Sequence, residues 1–186
     1  MIDYLFHYYE KKSGPFSNLS SVPLPDAQKI LNGLKSERQT MASQRYDGYL
    51  QRRHELESIA RAIFIEKGGK PKNEYPHYMV VGKCDWLKSW YIESGFIRIH
   101  VSAFNSDAIS FSYGDLFPTF SDRVTDNREY RRQVYTLNEI EQIISKYGLP
   151  QHWNGQGEFG PERYVEVQVW DDEPLRAFLP DYHNQE

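Results

Sequence analysis

The stretch RYVEVQVW, from Arg163 to Trp170, alternates apolar and polar residues along its length. Alternation with a period of two predicts a β-strand that has one buried face and one exposed face. The valines at 165, 167 and 169 are then expected to point inward, and Glu166 and Gln168 to point outward. FIRIHVSAF and AISFSYG alternate in the same way, so the chain is predicted to form a sheet of several strands.

Three other segments have the apolar spacing of amphipathic helices. The first begins at Pro25, because proline suits the first helical position, and the second covers residues 43–67 and ends at a pair of glycines. The third begins at Thr136, where TLNE has the spacing of a capping box. Strands and helices are partly segregated along the chain, so we predict an α+β fold with a mostly antiparallel sheet and about three helices packed on it.

The 186 residues contain no internal repeat and no convincing linker, which predicts a single domain over residues 1–186 with an acidic, mobile tail from about residue 174. One cysteine cannot form an internal disulfide, and the first residues lack the pattern of a signal peptide. No run approaches the roughly 18 apolar residues that a membrane span needs. We therefore expect a soluble cytoplasmic protein without a membrane partner.

The charges are unevenly placed along the chain. Residues 35–72 contain nine Lys and Arg against five Asp and Glu, whereas residues 158–186 contain two against eight. A basic segment can bind nucleic acid, because neutralised phosphates release counterions. Acidic residues interrupt this segment, so a solvated helix face, or docking against the acidic end of the same chain, is favoured. Nucleic-acid binding is the less favoured alternative.

Motifs that would identify a chemistry directly are absent from the sequence. It has no Walker-type phosphate loop, no GxGxxG fingerprint, no GxSxG elbow and no HExxH. The six histidines do not pair at the spacing of metal ligands, and the single cysteine has no partner thiol. The residues therefore predict no metal site and no cofactor.

Two carboxylates are the candidates for acid–base chemistry. Asp115 follows a strand in FSYGDLFPTFSDR, where aromatic surroundings would raise its pKa by desolvation. Gly-Asp is also common in turns, in which the aspartate bonds to nearby backbone. Glu166 lies between valines on a strand, and a solvated glutamate is its alternative interpretation. The sequence alone does not decide between the acid–base role and the structural role of either Asp115 or Glu166.

The aromatic content favours a binding function. Aromatic residues make up 15% of the chain, and fourteen of them are tyrosines, which suit partly wet pockets and surfaces. We interpret the segment from Tyr113 to Phe120 as an exposed aromatic cluster that contacts a protein partner or a small ligand. The predicted ligand-binding residues are Tyr78, Arg98, His100, Tyr113 and Phe117.

Several blocks of the chain resemble those of an uncharacterised bacterial protein family. They include FHYYEKKSGPFSNLS, KGGKPKNEYPHYMVVG, SFSYGDLFPTFS, YTLNEIEQIISKYGLP and ERYVEVQVWDDEP. The blocks are spread over residues 6–174, so the resemblance covers nearly the whole chain. It implies a compact bacterial domain and implies no catalytic residue.

A second resemblance is to the ADP-ribosyltransferase-like NAD-binding fold. LFHYYE, PDAQKILNGLK and YVEVQVW are similar to its early strand with a histidine, its short helix and its late strand with a glutamate. The resemblance implies NAD as the cofactor and a catalytic role for His7 and Glu166. His7 would hold the nicotinamide ribose, Tyr78 or Tyr113 would stack on the ring, and Glu166 would stabilise an oxocarbenium charge. The long second helix and the acidic end do not belong to this pattern.

Overall fold

The computed structural model describes residues 1–37 and 40–179, and a five-stranded antiparallel sheet lies at its centre. The strands are β1 Tyr4–Glu10, β2 His77–Val81, β3 Ser94–His100, β4 Ile109–Tyr113 and β5 Val165–Val169. Their order across the sheet is β3-β1-β2-β5-β4, and every neighbouring pair is antiparallel. The α+β class and the antiparallel sheet that the alternating stretches predict are thereby confirmed.

The helices agree with the predicted segments, and one boundary is corrected. They are α1 Leu24–Glu37, α2 Tyr49–Glu66, α3 Leu116–Thr119, α4 Leu137–Tyr147 and α5 Pro150–Trp153. The second predicted helix begins too early, because Gly48 adopts a left-handed conformation and Met41–Gln44 forms a separate 3₁₀ turn. None of the described helices combines the length and the apolar character that a membrane span requires.

One face of the sheet packs against α4. Alternate residues of the strands form this core, among them Leu5, Met79, Phe111, Val165, Val167 and Val169. Ile140 of α4 is fully buried against them, as the period of the helix predicts. The predicted acidic tail lies partly outside the described residues, at 180–186. Within the described part, Leu175 is fully buried in this same core.

The opposite face of the sheet is covered by α2 and by the 3₁₀ turn Asp85–Trp90. Leu56, Ala60 and Phe64 of α2 pack beside Tyr78 and the buried Trp170, and Leu87 packs with Tyr8 and Val80. Because β5 lies between β2 and β4 and is covered on both sides, its polar side chains are largely shielded from bulk water. Glu166 is 7% exposed and Gln168 is 0% exposed, which corrects the expectation that they point to solvent.

The β1–β2 junction is short. β1 pairs with β3 over seven residues, whereas it pairs with β2 only at Leu5–Val81 and Phe6–Val80. Immediately beyond these two pairs, the imidazole of His7 reaches the backbone carbonyl of Tyr78. A side chain thus occupies the place where the ladder of backbone hydrogen bonds ends.

Candidate functional site

A cavity of about 550 Å³ lies between the second face of the sheet and the helical segments that cover it. Strand residues such as Tyr78, Val80 and Glu166 form its floor, and residues of α1, α2 and Met41–Gln44 form its roof. Aromatic side chains contribute much of the lining, including Tyr8, Tyr49, Tyr78, Trp90, Tyr91 and Phe117. This volume and this mixture of apolar walls with a few polar groups are typical of small-molecule sites.

Asp115 lies in the cavity wall and also caps a helix. Its Oδ1 accepts a hydrogen bond of 2.7 Å from the backbone N–H of Phe117, at the start of α3. Its Oδ2 accepts a hydrogen bond of 3.1 Å from the hydroxyl of Tyr164. Burial raises the pKa of Asp115, although these two donors and the nearby arginines favour its ionised form. The turn role and the acid–base role considered for Asp115 are therefore compatible.

Glu166 is the second carboxyl group in the cavity. Its Oε1 accepts a hydrogen bond of 3.0 Å from the side-chain amide of Gln168. The backbone N–H of Leu116 also faces this carboxyl group and favours its ionised form. Burial, together with the negative charge of Asp115, raises the pKa of Glu166 well above its usual range. Two interacting carboxyl groups with raised pKa values in one cavity are a feature of acid–base sites.

A buried ion pair within α2 takes part in the hydrogen bonds that join the roof of the cavity to its floor. Arg53 of α2 donates from Nε to Glu57 Oε1 at 2.9 Å and from Nη2 to Asn18 at 2.9 Å. The same Glu57 oxygen accepts hydrogen bonds of 2.8 Å from Tyr78 and from Ser20. The Arg53 guanidinium also lies 4.8 Å from the centroid of the Tyr78 ring. This network fixes the Tyr78 ring as a wall of the cavity.

Arg45 brings a second positive charge to the roof. Its guanidinium lies 4.3 Å from the centroid of the Tyr49 ring, which stacks on Phe117 at a centroid separation of 5.0 Å. Among residues 1–37 and 40–179, no side-chain hydrogen bond or ion pair involves Arg45. Burial lowers the pKa of Arg45, but a guanidinium stays charged at neutral pH. This charge is available to a ligand.

His7 lies at the edge of the cavity, where both ring nitrogens have partners. Nε2 accepts the backbone N–H of Phe16 at 2.9 Å, so Nδ1 carries the proton and donates to the Tyr78 carbonyl at 2.8 Å. The ring also stacks on Phe16 at a centroid separation of 4.0 Å. Burial lowers the pKa of His7 to about 4, so the imidazole is neutral at pH 7. Neither nitrogen is free to contact a ligand.

Five of the predicted site residues line this one cavity. They are His7, Tyr78, Asp115, Phe117 and Glu166, and they come from β1, from β2, from the segment after β4, and from β5. The antiparallel order of the sheet brings them together, although up to 159 positions (166 − 7) separate them in the sequence.

The other three predicted residues lie elsewhere. Arg98 is on the edge strand β3, where its guanidinium lies 4.5 Å from the Tyr4 ring centroid. His100, on the same strand, accepts the backbone N–H of Ser102 at 3.2 Å. Tyr113 is 0% exposed on the face that packs against α4, and it donates to the Gly148 carbonyl at 2.7 Å.

The prediction that the aromatic cluster from Tyr113 to Phe120 is exposed is wrong. Tyr113, Leu116 and Thr119 are buried, and Phe117 and Phe120 pack against the core that contains α2. The error has a physical cause, because β4 and the segment that follows it are covered on both sides by helices.

Several residues of the site were not predicted, above all Arg45, Arg53 and Tyr164. Arg53 and Glu57 have the i, i+4 spacing of a helical ion pair, which is a local signal, but the sequence does not show that the pair is buried. Arg45 belongs to the basic segment, which the sequence favours as a solvated face. Only the arrangement of α2 over the sheet places either residue in a cavity.

The basic segment makes many contacts within the chain. Lys72 pairs with Asp171 at 2.7 Å, and Lys70 pairs with Asp107 at 3.0 Å. Lys67 contacts Glu139 of α4 at 3.0 Å. The Lys72–Asp171 pair is of the kind expected if this segment docks against the acidic end of the chain, and such pairing reduces the positive charge available to a phosphate backbone.

The chain was compared with family models, with curated proteins and with solved structures. No family model matches the chain, no curated protein matches it, and no solved structure matches it. The resemblances to a bacterial family and to the NAD-binding fold stay predictions. The geometry of the cavity is therefore the basis on which a function can be argued.

Proposed function

We propose that the chain binds a small organic molecule in the 550 Å³ cavity and acts on it by acid–base chemistry. The observation that carries this proposal is the pair of carboxyl groups, the half-buried Asp115 and the buried Glu166, in the wall of a cavity of ligand size. Burying carboxyl groups is unfavourable for folding unless they are well paired, and sites of this kind are more often functional than structural.

The lining of the cavity indicates the class of ligand. The rings of Tyr49, Tyr78 and Tyr91 offer flat apolar surfaces, which suit a planar or ring-bearing molecule. Arg45 offers a positive charge that pairs best with a carboxylate or a phosphate group. We therefore infer a ligand that has a ring and one anionic group.

A small ligand is favoured over a protein partner by the burial of the aromatic residues. Of the rings that suggest a contact surface in the sequence, Tyr113 is fully buried on the face that packs against α4, and Phe117 lies in the cavity wall, where a molecule that enters the cavity can reach it. A protein partner would need these rings at the surface.

Closing the cavity with a bulky side chain is expected to abolish binding. Ala42 lies in the roof on the turn Met41–Gln44, so tryptophan at this position would fill space that the ligand needs. Ala103, which is exposed on a different 3₁₀ turn, provides the matched control. The measurement is thermal unfolding with ring-bearing carboxylates and phosphate esters.

In wild type and in Ala103→Trp, a ligand at 100 times its Kd should raise the Tm by about 5 °C or more. The same compound should leave Ala42→Trp unchanged. The proposal is contradicted if every compound shifts both variants equally, or if none shifts the wild type.

A second candidate function is cleavage of NAD. The specific observation in its favour is that His7, Tyr78 and Glu166, which the ADP-ribosyltransferase resemblance implies, line the same cavity. The internal hydrogen bonds of His7 oppose the role of that residue in holding a ribose. Under this candidate, Glu166 acts as an ionised carboxylate that stabilises a developing positive charge.

The NAD candidate predicts release of nicotinamide from NAD and a loss of about 100-fold or more in the Glu166→Gln variant. The control is Glu158→Gln, which changes an exposed glutamate outside the cavity. Nicotinamide release can be followed chromatographically. No release by the wild-type protein, or equal release by both variants, removes this candidate.

A further inference from the structure

A chain of buried hydrogen bonds ends at Glu166. The indole Nε1 of Trp170 lies 2.8 Å from Ser110 Oγ, and Ser110 Oγ lies 2.8 Å from Gln168 Oε1. Gln168 Nε2 lies 3.2 Å from Ser112 Oγ and 3.0 Å from Glu166 Oε1. Trp170, Ser110, Gln168 and Ser112 are all 0% exposed, so no bulk water competes for these groups.

The partners of the two serines give the direction of this chain. Ser110 accepts from the Trp170 indole, which can only donate, and its own hydroxyl hydrogen is directed to Gln168 Oε1. The oxygen of the Gln168 amide is thereby placed, and the amide nitrogen must face the other way. Both of its N–H groups donate, one to Ser112 and one to Glu166.

The second acceptor of Gln168 agrees with this direction. Ser112 donates its hydroxyl hydrogen to the Gly114 carbonyl at 2.8 Å, which leaves its oxygen free to accept from Gln168. Every polar atom of the Gln168 amide then has a partner of the correct type. A flipped amide would place its N–H groups against the Ser110 hydroxyl and its oxygen against Glu166.

The direction of the chain decides where a proton on Glu166 would be. Oε1 already accepts an N–H from Gln168, so a proton belongs on Oε2. Glu166 lines the cavity, and its carboxyl group is faced by the amide of Gln168 and the backbone N–H of Leu116, which both act as donors. Neither donor can accept the carboxylic acid O–H, which is therefore available to an acceptor on a ligand.

The charged groups around the carboxyl pair favour Asp115 as its ionised member. Arg45 and Arg53 both favour the ionised form of Asp115, and Arg53, which is also paired with Glu57, acts in the same direction on Glu166. Asp115 also has two hydrogen-bond donors. The other titratable groups that face Glu166 are the hydroxyls of Tyr78 and Tyr164, which carry no charge at neutral pH.

We propose that Glu166 is the protonated member of the carboxyl pair at neutral pH, and that it donates a hydrogen bond from Oε2 to an uncharged acceptor of the ligand. This inference rests on the proposed function and narrows its ligand class. The ring-bearing anion must carry a carbonyl, ether or ring-nitrogen lone pair at Glu166. Asp115 is the ionised partner, and Gln168 is a positioning residue that acts through Glu166.

Infrared spectroscopy of the ligand-free protein tests where the proton resides. At pH 7 we expect a protonated-carboxyl band that shifts when glutamate is labelled with ¹³C and does not shift when aspartate is labelled. The band should be absent from Glu166→Gln. In Asp115→Asn its titration midpoint should fall, because the negative charge that helps to raise the pKa of Glu166 is removed. Absence of the band from the wild type at pH 7, or a band that shifts on labelling of aspartate and not of glutamate, overturns the assignment.

Two serine variants test the positioning role of Gln168. Ser110→Ala removes the group that fixes the amide, so the N–H donated to the Glu166 carboxylate is lost when the amide turns. The titration midpoint of the Glu166 band should then rise by about one pH unit or more. Ser112→Ala removes a partner but leaves the directing chain intact, and its midpoint should move by less than half as much.

Equal midpoints in the two serine variants, or no shift in Ser110→Ala, contradict the role of Gln168. Should Ser110→Ala fail to fold, Gln168→Met removes the same donor and makes the same prediction. Ligand binding that is lost in Ala42→Trp, without a glutamic acid band, leaves the proposed function standing and removes this inference. The band in a protein whose cavity takes none of the compounds supports the location of the proton and contradicts the function.

Discussion

The Arg53→Met variant is expected to lose about 3–5 kcal/mol of unfolding free energy, because it leaves a buried carboxylate without its cation. Glu57 is 0% exposed, and it forms an ion pair with Arg53 one turn earlier on α2. Tyr78 and Ser20 would remain as hydrogen-bond donors to Glu57, but neither carries a charge to offset it. Denaturant unfolding at pH 7 measures the loss.

Arg52→Met is the matched control for this prediction. Arg52 is the neighbouring residue on α2, and its ion pair with Glu55 is solvent-exposed, so the expected loss is below about 1 kcal/mol. Adding Glu57→Leu to Arg53→Met should restore much of the stability, because the unpaired charge is removed. Equal losses in the two single variants would contradict a buried, structural role for the Arg53–Glu57 pair.

Acidification is expected to destabilise the fold through His7. Burial lowers the pKa of His7 from 6.5 to about 4 in the folded protein, so between these values the unfolded chain binds more protons. The contribution of His7 is therefore complete above pH 6.5 and is lost as the pH falls towards 4. A shift of this size corresponds to about 3 kcal/mol.

The raised pKa values of Asp115 and Glu166 act in the opposite direction. Their contribution to stability increases as the pH falls through the folded-state pKa values, so the stability curve of the wild type alone does not isolate His7. The difference between wild type and His7→Phe does isolate it, since both proteins keep the carboxyl pair.

His7→Phe keeps a ring against Phe16 but removes both hydrogen bonds. The difference in unfolding free energy should be constant above pH 6.5 and should shrink by about 3 kcal/mol as the pH falls to 4. Denaturant unfolding at several pH values provides the measurement. Parallel curves for the two proteins over this range would show that His7 is not held neutral in the fold.

The sequence predicts the elements of this fold better than it predicts their surroundings. RYVEVQVW is read correctly as a strand because alternation reflects local geometry, and Thr136 marks the start of α4 because capping is local. The burial of Glu166 could not be predicted, since it depends on β2 and β4 flanking β5 and on α2 covering that face. Alternation shows that the two faces of a strand differ in polarity. It does not show that the polar face is exposed to solvent.

In the candidate site, too, residues with a local sequence signal were predicted, and residues whose position depends on distant elements were not. Asp115 and Glu166 are singled out from the sequence by their aromatic and apolar neighbours, which is a local signal for a perturbed carboxyl group. Arg45 has no such signal, because its position in the cavity wall depends on the packing of the turn Met41–Gln44 against α1 and on the placement of both over the sheet. Tyr113 was misassigned for a related reason, since its face of β4 packs on α4.

The short junction between β1 and β2 has a consequence for strand pairing during folding. With only two residue pairs, the ladder offers few backbone contacts that hold the alignment of these strands, which depends also on the buried side chains of Leu5 and Val81. A slip of one residue would move the imidazole of His7 away from the Tyr78 carbonyl and leave the Phe16 amide without an acceptor. The two hydrogen bonds of His7 thus favour one register between β1 and β2, and therefore one alignment of the β3–β1 part of the sheet with the β2–β5–β4 part.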